Sequence, residues 1–427
     1  MRRGISSDMP TLPKRLQLGT GSRDTTTTCA SAAPVGASPG PTKGGAVGAG
    51  AVLPAAGTSQ TGASTDPLTF DAAFYGEAYP LAQNDIMRGR AADLLTHYRT
   101  IGRFRGYLPN KSAIRPDNPA APRSRFGGFW IDQGNALDLL DAREELGLVS
   151  TEDSKTLRQF ITDGYTVLRN VIPDNVLDRA EAALGKAYNG GVPNLKFAIS
   201  GVGERVDWQR TALTNPAKAL DLHWMSPEIR DLALCDGVLR ILHMIMERRV
   251  FASQTLGFWH GSAQEAHQDS AYVNYSHRMQ FLATWIALED VTENSGELFY
   301  YVGSQNLKEY LYLGAFKGVE DAARMHPHSV LNAEIKAHIV SLPPAAEKLG
   351  LRRERFIAKR GDVLIWNADL AHGGSPISTD STRKSVVTHY CPAEAVPSYF
   401  ENKPGRRLIR HGGGFYSTGH YDFDPIL

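Results

Sequence analysis

The chain has 427 residues and a mass of 46.6 kDa, with 42% hydrophobic residues, 21% charged residues and a formal net charge of +1. That balance is globular, leaves ample material for a hydrophobic core, and argues against nucleic acid or a strongly acidic partner. Three isolated cysteines, Cys29, Cys235 and Cys391, fit a reduced cytoplasmic chain rather than a disulfide framework, and no apolar run is long enough to span a bilayer.

Residues 1–66 are rich in Ser, Thr, Ala, Gly and Pro and hold no aromatic residue. Such a segment cannot bury enough apolar area to offset its ordering entropy, and it reads as a disordered tail rather than a targeting segment. Residues 67–110 read as a small helical module: Phe74 to Tyr79 as a helix ended by Pro80, then His97 to Gly102 as a second helix with a glycine stop. Residues 111–150 read as a linker carrying Pro116, Pro119 and Pro122, followed by a helix over 136–146 on which Leu139, Ala142 and Leu146 share a face. A helix entered near Thr151 gives way at Asp163-Gly164 to a strand, Tyr165 to Leu168. An amphipathic helix then runs from Pro173 to about Ala187, and helical pieces occupy 227–247. Strands follow over Met279–Leu288, Leu298–Val302, Asp362–Trp366 and Ser385–Tyr390. The expected fold class is α+β: a cupin-like jelly roll (a double-stranded β-helix) with supporting helices, formed by residues 151–400 and followed by an extension over 401–427.

Chemistry concentrates in two places. On an extended segment, residues i and i+2 point to the same side, so His267 and Asp269 can face one point in space. His372 lies beyond a strand, entering a glycine-rich turn. Two imidazoles and one carboxylate make a facial triad with open coordination positions, the donor set that suits iron(II). An HxD pair alone is a weak signal. It gains weight from Arg383, eleven positions beyond His372, and from Ser385 two residues later. A guanidinium grips a carboxylate at two points and a hydroxyl adds a donor, which together can hold the far carboxylate of a five-carbon oxodiacid. Gln254, on the strand before the HxD turn, is a further candidate for contact with that co-substrate. His260 and His277 flank the pair and read as hydrogen-bonded histidines, not ligands.

These residues occur in an order that resembles the phytanoyl-CoA dioxygenase family of Fe(II)/2-oxoglutarate-dependent oxygenases. The similarity runs from about Phe160 to about Pro397: Phe160-x-x-Asp163-Gly164-Tyr165, Ser226-Pro227-Glu228-Ile229, His267-x-Asp269, Trp285-Ile286-Ala287-Leu288, Asn294-Ser295-Gly296 leading to Gly303-Ser304, Gly361-Asp362-Val363-Leu364-Ile365-Trp366, His372-Gly373-Gly374 and Arg383. The resemblance implies that His267, Asp269 and His372 are the catalytic metal ligands and that the cofactors are Fe(II), 2-oxoglutarate and O2. It further implies that Arg383 pairs with the distal carboxylate of 2-oxoglutarate and that Trp285 lines the co-substrate pocket. Glu297 departs from the pattern, standing where the family commonly has a small residue or proline. Because Asp269 is intact, the resemblance points to hydroxylation rather than halogenation. The 67–110 stretch resembles small helical modules of some bacterial proteins linked to glycans, which makes glycan or protein contact one expectation and plain packing on the main domain another.

The function expected is a dioxygenase that hydroxylates an unactivated C–H of a small-molecule or acyl substrate and releases succinate and CO2. A metal-dependent hydrolase using the same His/Asp/His site is one alternative, and a catalytically inactive ligand-binding relative is the other.

Overall fold

A computed structural model describes residues 69–113, 118–400 and 407–426. The tail over 1–66 lies outside them. Mixed helices and antiparallel sheets make up the rest. The strands in chain order are β1 (Tyr165–Leu168), β2 (Lys196–Ile199), β3 (Gly203–Asp207), β4 (Ala217–Leu220), β5 (Val250–Phe258), β6 (Leu282–Ala287), β7 (Leu298–Tyr301), β8 (Arg353–Phe356), β9 (Val363–Asn367), β10 (His372–Gly374), β11 (Ser385–Pro392), β12 (Ile409–His411) and β13 (Gly414–Tyr416). The larger sheet runs β1-β9-β6-β11-β5-β4-β2-β3, with β13 joining β5 in parallel and pairing β12; the smaller sheet is β10-β7-β8.

Two cores follow from strand alternation. On β6, Leu282 and Ile286 face a cluster built with helical residues such as Leu157, Leu177, Leu184, Ile229 and Leu242. Ala283, Trp285 and Ala287 face the other way, into a cluster that includes Leu298, Tyr300 and Phe356 of the small sheet. β9 repeats the division, with Val363 and Ile365 toward the helices and Leu364 and Trp366 toward the small sheet. The functional residues occupy this second face.

Local signals explain the helices that cover the first. Ser150 caps Thr151–Asp163 by accepting from the Asp153 amide at 3.1 Å, so the helix enters one residue before Thr151. Gly164, at φ 81°, ends it and turns the chain into β1. Helices Asp174–Tyr188, Pro227–Ala233 and Asp236–Met246 complete that layer.

The upstream stretch has helices Ala72–Ala78, Pro80–Met87 and Leu94–Thr100. The first of these ends at Ala78, capped by Tyr79 just before Pro80, as expected, and Pro80 plays a second part. It occupies the first position of the next one, where its missing N–H costs nothing. Tyr75, Tyr79 and Tyr107 turn inward and join the cluster between the sheets, Tyr79 stacked on Tyr107 at 4.1 Å. Residues 118–135, proline-bearing and linker-like in sequence, are packed: Phe129, Trp130 and Ile131 belong to the helix-side core, and the Trp130 indole donates to the Met244 carbonyl. No helix among the described residues is long and apolar enough to cross a membrane.

Candidate metal centre

His267 and His372 meet because their backbones pair. His267 donates its amide to the His372 carbonyl at 2.8 Å and His372 returns the bond at 3.0 Å, an antiparallel bridge that sets the two rings 4.4 Å apart. One residue past the bridge the chain is still extended at Gln268, and Asp269 then opens a short 3-10 turn, Asp269–Ala271. The carboxylate reaches both imidazoles: Oδ1 lies 3.5 Å from His267 Nε2 and Oδ2 lies 3.7 Å from His372 Nε2. One ligand atom from each of the three residues falls within 4.8 Å of the others.

The surrounding bonds aim these atoms. His267 Nδ1 donates to the Glu265 carbonyl and His372 Nδ1 to the Leu370 carbonyl, each at 2.9 Å. A carbonyl only accepts, so both Nδ1 atoms carry the proton and both Nε2 atoms present lone pairs. The Trp366 indole donates to Asp269 Oδ2 at 2.9 Å, and the Gln264 amide lies 3.3 Å from His267 Nε2. Burial pushes the His372 imidazole down to about 4, against the pull of Asp269, so it is neutral near pH 7. Burial works against charge on Asp269 too, yet His372 and His267 beside it hold that carboxyl well below the usual carboxylate range. Neutral imidazoles and an ionised carboxylate are the forms a divalent cation takes up.

Arg383 is 2% exposed. Its Nη1 donates to the Gly296 carbonyl at 2.6 Å, its Nε is buried without a hydrogen-bond partner, and no carboxylate lies within ion-pair distance among the described residues. The guanidinium sits 5.4 Å from the Trp285 ring and 5.6 Å from the Phe258 ring. Burial pushes its pKa down to about 10, with Glu297 opposing, so it remains a cation at neutral pH. Trp285 Nε1 is also buried without a partner. Ser385 is fully buried on the face of β11 that carries Val387 beside Trp285, and its hydroxyl lies 3.4 Å from the Arg383 carbonyl. Gln254 stands opposite His389, at the far end of the same strand pair from Ser385, and its Oε1 is 3.0 Å from His389 Nδ1. His260 and His277 are hydrogen-bonded to Leu213 and Ser276, apart from the triad.

Two residues here carry no sequence signature. His389 shares a strand face with Ser385 and Val387, and burial pushes it down to about 4 within the fields of Asp269, Lys218 and His267. Lys218, on β4 in the run Ala217-Lys218-Ala219-Leu220, has no hydrogen-bond or ion-pair partner among the described residues. Burial lowers its pKa, while Asp269 and Glu204 draw it back up. Lys218 on β4 thus lies within the field of Asp269, and Arg383 stands at the entry to β11.

A buried His/Asp/His triad of metal-binding geometry is the donor set of one class, the non-haem iron oxygenases that use 2-oxoglutarate. The family model for phytanoyl-CoA dioxygenase matches residues 160–385, more than half of the chain, and the protein belongs to that family. Iron(II), 2-oxoglutarate and O2 are accordingly its cofactors. Among solved structures, the chain is similar to the non-heme alpha ketoglutarate dependent epimerase SnoN of nogalamycin biosynthesis, with 16% identity, 62% of this chain and 98% of that chain covered, and a TM-score of 0.41. It is also similar to the carbocyclase SnoK of the same biosynthesis (20% identity, 56% and 84% covered, TM-score 0.41) and to EctD from S. alaskensis with bound Fe (16% identity, 55% and 75% covered, TM-score 0.41). No curated protein matches the chain.

Proposed function

We propose that the protein hydroxylates an unactivated C–H bond of a small-molecule or acyl substrate, consuming 2-oxoglutarate and O2 and releasing succinate and CO2. The observation that carries this reading is the triad of metal-binding geometry, supported by a buried Arg383 guanidinium that has no carboxylate at ion-pair distance among the described residues. In this reading His267, Asp269 and His372 hold iron(II), which supplies the redox centre at which O2 and 2-oxoglutarate react. Arg383 clamps the distal carboxylate, Trp285 and Ser385 wall that end, and Lys218 offers a hydrogen-bond donor to the carboxylate near the metal. Gln254 orients His389, its Oε1 lying 3.0 Å from His389 Nδ1.

We read the two sheets as a jelly roll, the fold expected for such enzymes, with the site between them. Residues 67–110 serve as packing support, their tyrosines spent on the core rather than offered to a glycan or protein.

Succinate release from 2-oxoglutarate, measured with and without ferrous iron, tests the reading. The wild-type protein should turn over only with iron, His267→Ala should lose that turnover, and mass spectrometry of candidate compounds should show a gain of one oxygen. Equal succinate release by both proteins would exclude it.

A further inference from the structure

The connection between β7 and β8, residues 302–352, contains helices Val319–Ala323 and His328–Lys348 and touches the metal-bearing segments through buried polar side chains. Lys317 is 3% exposed, and its Nζ donates to Asp369 Oδ2 at 2.9 Å, with Glu309 Oε1 at 3.5 Å. Asp369 is 6% exposed and stands between β9 and β10, three residues before His372. Its other oxygen, Oδ1, accepts from the Ser270 hydroxyl, and its carbonyl accepts from Gln268 Nε2 at 2.6 Å. The Ser270 amide also donates to the Ala368 carbonyl at 3.0 Å. Gln268 and Ser270 flank Asp269. Asp369 therefore pins the segment carrying His267 and Asp269 to the loop carrying His372, and Lys317 in turn pins Asp369. A second contact runs in parallel: Gln268 Oε1 lies 3.3 Å from His338 Nε2 on helix His328–Lys348, whose Nδ1 is 2.7 Å from the Tyr312 hydroxyl.

We propose that Lys317 is a positioning residue for the iron site: by holding Asp369 it sets the spacing of the two ligand-bearing segments, and so ties the 302–352 connection to metal affinity. The inference rests on the triad holding iron. A buried ion pair contributes little net stability against an apolar replacement, but removing one partner leaves the other charge buried and uncompensated. Without Lys317, Asp369 must move or take up a proton, and the bonds from Ser270 and Gln268 go with it. Groups that orient metal ligands change affinity by about 10- to 100-fold when lost.

Anaerobic Fe(II) titration of the full chain, beside thermal melts, tests this. Lys317→Met should bind Fe(II) about 10- to 100-fold more weakly than wild type at a temperature where both are folded. The double variant Lys317→Met/Asp369→Asn removes both charges; it should regain much of the melting temperature and keep the weakened affinity. It carries the test alone if the single variant does not fold. A dissociation constant within about twofold of wild type, in the folded single or double variant, overturns the inference and leaves the pair a structural one. His267→Ala separates the two readings. Iron binding that wild type shows, His267→Ala loses and Lys317→Met keeps overturns this inference alone. Wild-type binding no tighter than His267→Ala brings down the triad reading and this inference with it.

Discussion

A guanidinium enclosed by Trp285, Phe258 and the Gly296 carbonyl has lost its hydration with no carboxylate at ion-pair distance among the described residues, Glu297 acting on it only from farther off. Arg383→Met should therefore raise the KM for 2-oxoglutarate by about 10- to 100-fold, the loss of charge-assisted hydrogen bonds, and change succinate kcat less. Initial rates against 2-oxoglutarate concentration check this; an unchanged KM would place the diacid elsewhere. The same residue shows what a sequence discloses at this scale. His267, Asp269, His372 and Arg383 are readable because chemistry dictates their types and the chain order dictates their spacing. Lys218 and His389 are not. A lysine between two alanines looks like any surface lysine, and only the pairing of β4 with β5 and of β5 with β11 brings it and His389 toward Asp269. Gln254 was visible on its strand, but its contact with His389 was not.

At the scale of elements, the site depends on close backbone approach. Gly296 sits at φ 86°, a Cβ there would lie 2.9 Å from the Gly261 Cα and 2.8 Å from the Ile377 side chain, and its carbonyl is the acceptor for Arg383. Gly296→Ala faces both a left-handed conformation and a backbone clash, so it should cost about 1–3 kcal/mol of stability. It should also raise the KM for 2-oxoglutarate, because the turn that aims Arg383 shifts. A melt alongside a KM measurement checks it: loss of stability with an unaltered KM would mean the turn supports the fold but does not aim the guanidinium. Strands buried on both faces, β6 and β9 among them, were legible to within a few residues, since their runs are mostly apolar. The helix His328–Lys348 was not, because Pro343 and Pro344 lie inside it and a proline pair reads as a stop. β10 is three residues long with two glycines and has no β signature; its partner β7 makes it a strand.

The molecule as a whole is larger than the stretch that defines its family. Phe129, Trp130 and Ile131 complete the helix-side core, Tyr79 and Tyr107 complete the inter-sheet core, and Asp132 accepts from Asn367 Nδ2 at 2.9 Å just ahead of the His372 loop. Pro116, Pro119 and Pro122 made the part from residue 111 look like a linker, since only the tertiary fold supplies the faces on which Phe129, Trp130 and Ile131 pack. A consequence of so much burial is a set of histidines kept neutral. Burial pushes His372, His389 and His338 each to about 4 and lowers His223 as well. For His338, burial acts first and the charge of Lys317 adds to it. Unfolded, the same imidazole titrates near its ordinary 6.5. Above 6.5 neither state binds the proton; between 6.5 and about 4 the unfolded chain binds it and the folded chain does not. Stability of the metal-free protein should thus be full above 6.5 and fall as pH drops toward 4, by up to about 1.4 kcal/mol per pH unit for each such histidine. Asp132 and Asp221, raised by burial, oppose that slope near its acid end, so the test is a difference. Urea unfolding of wild type and His338→Gln across this range isolates one proton: the variant's stability should decline less steeply on acidification. Parallel profiles would show that His338 does not titrate in the folded chain as its surroundings dictate.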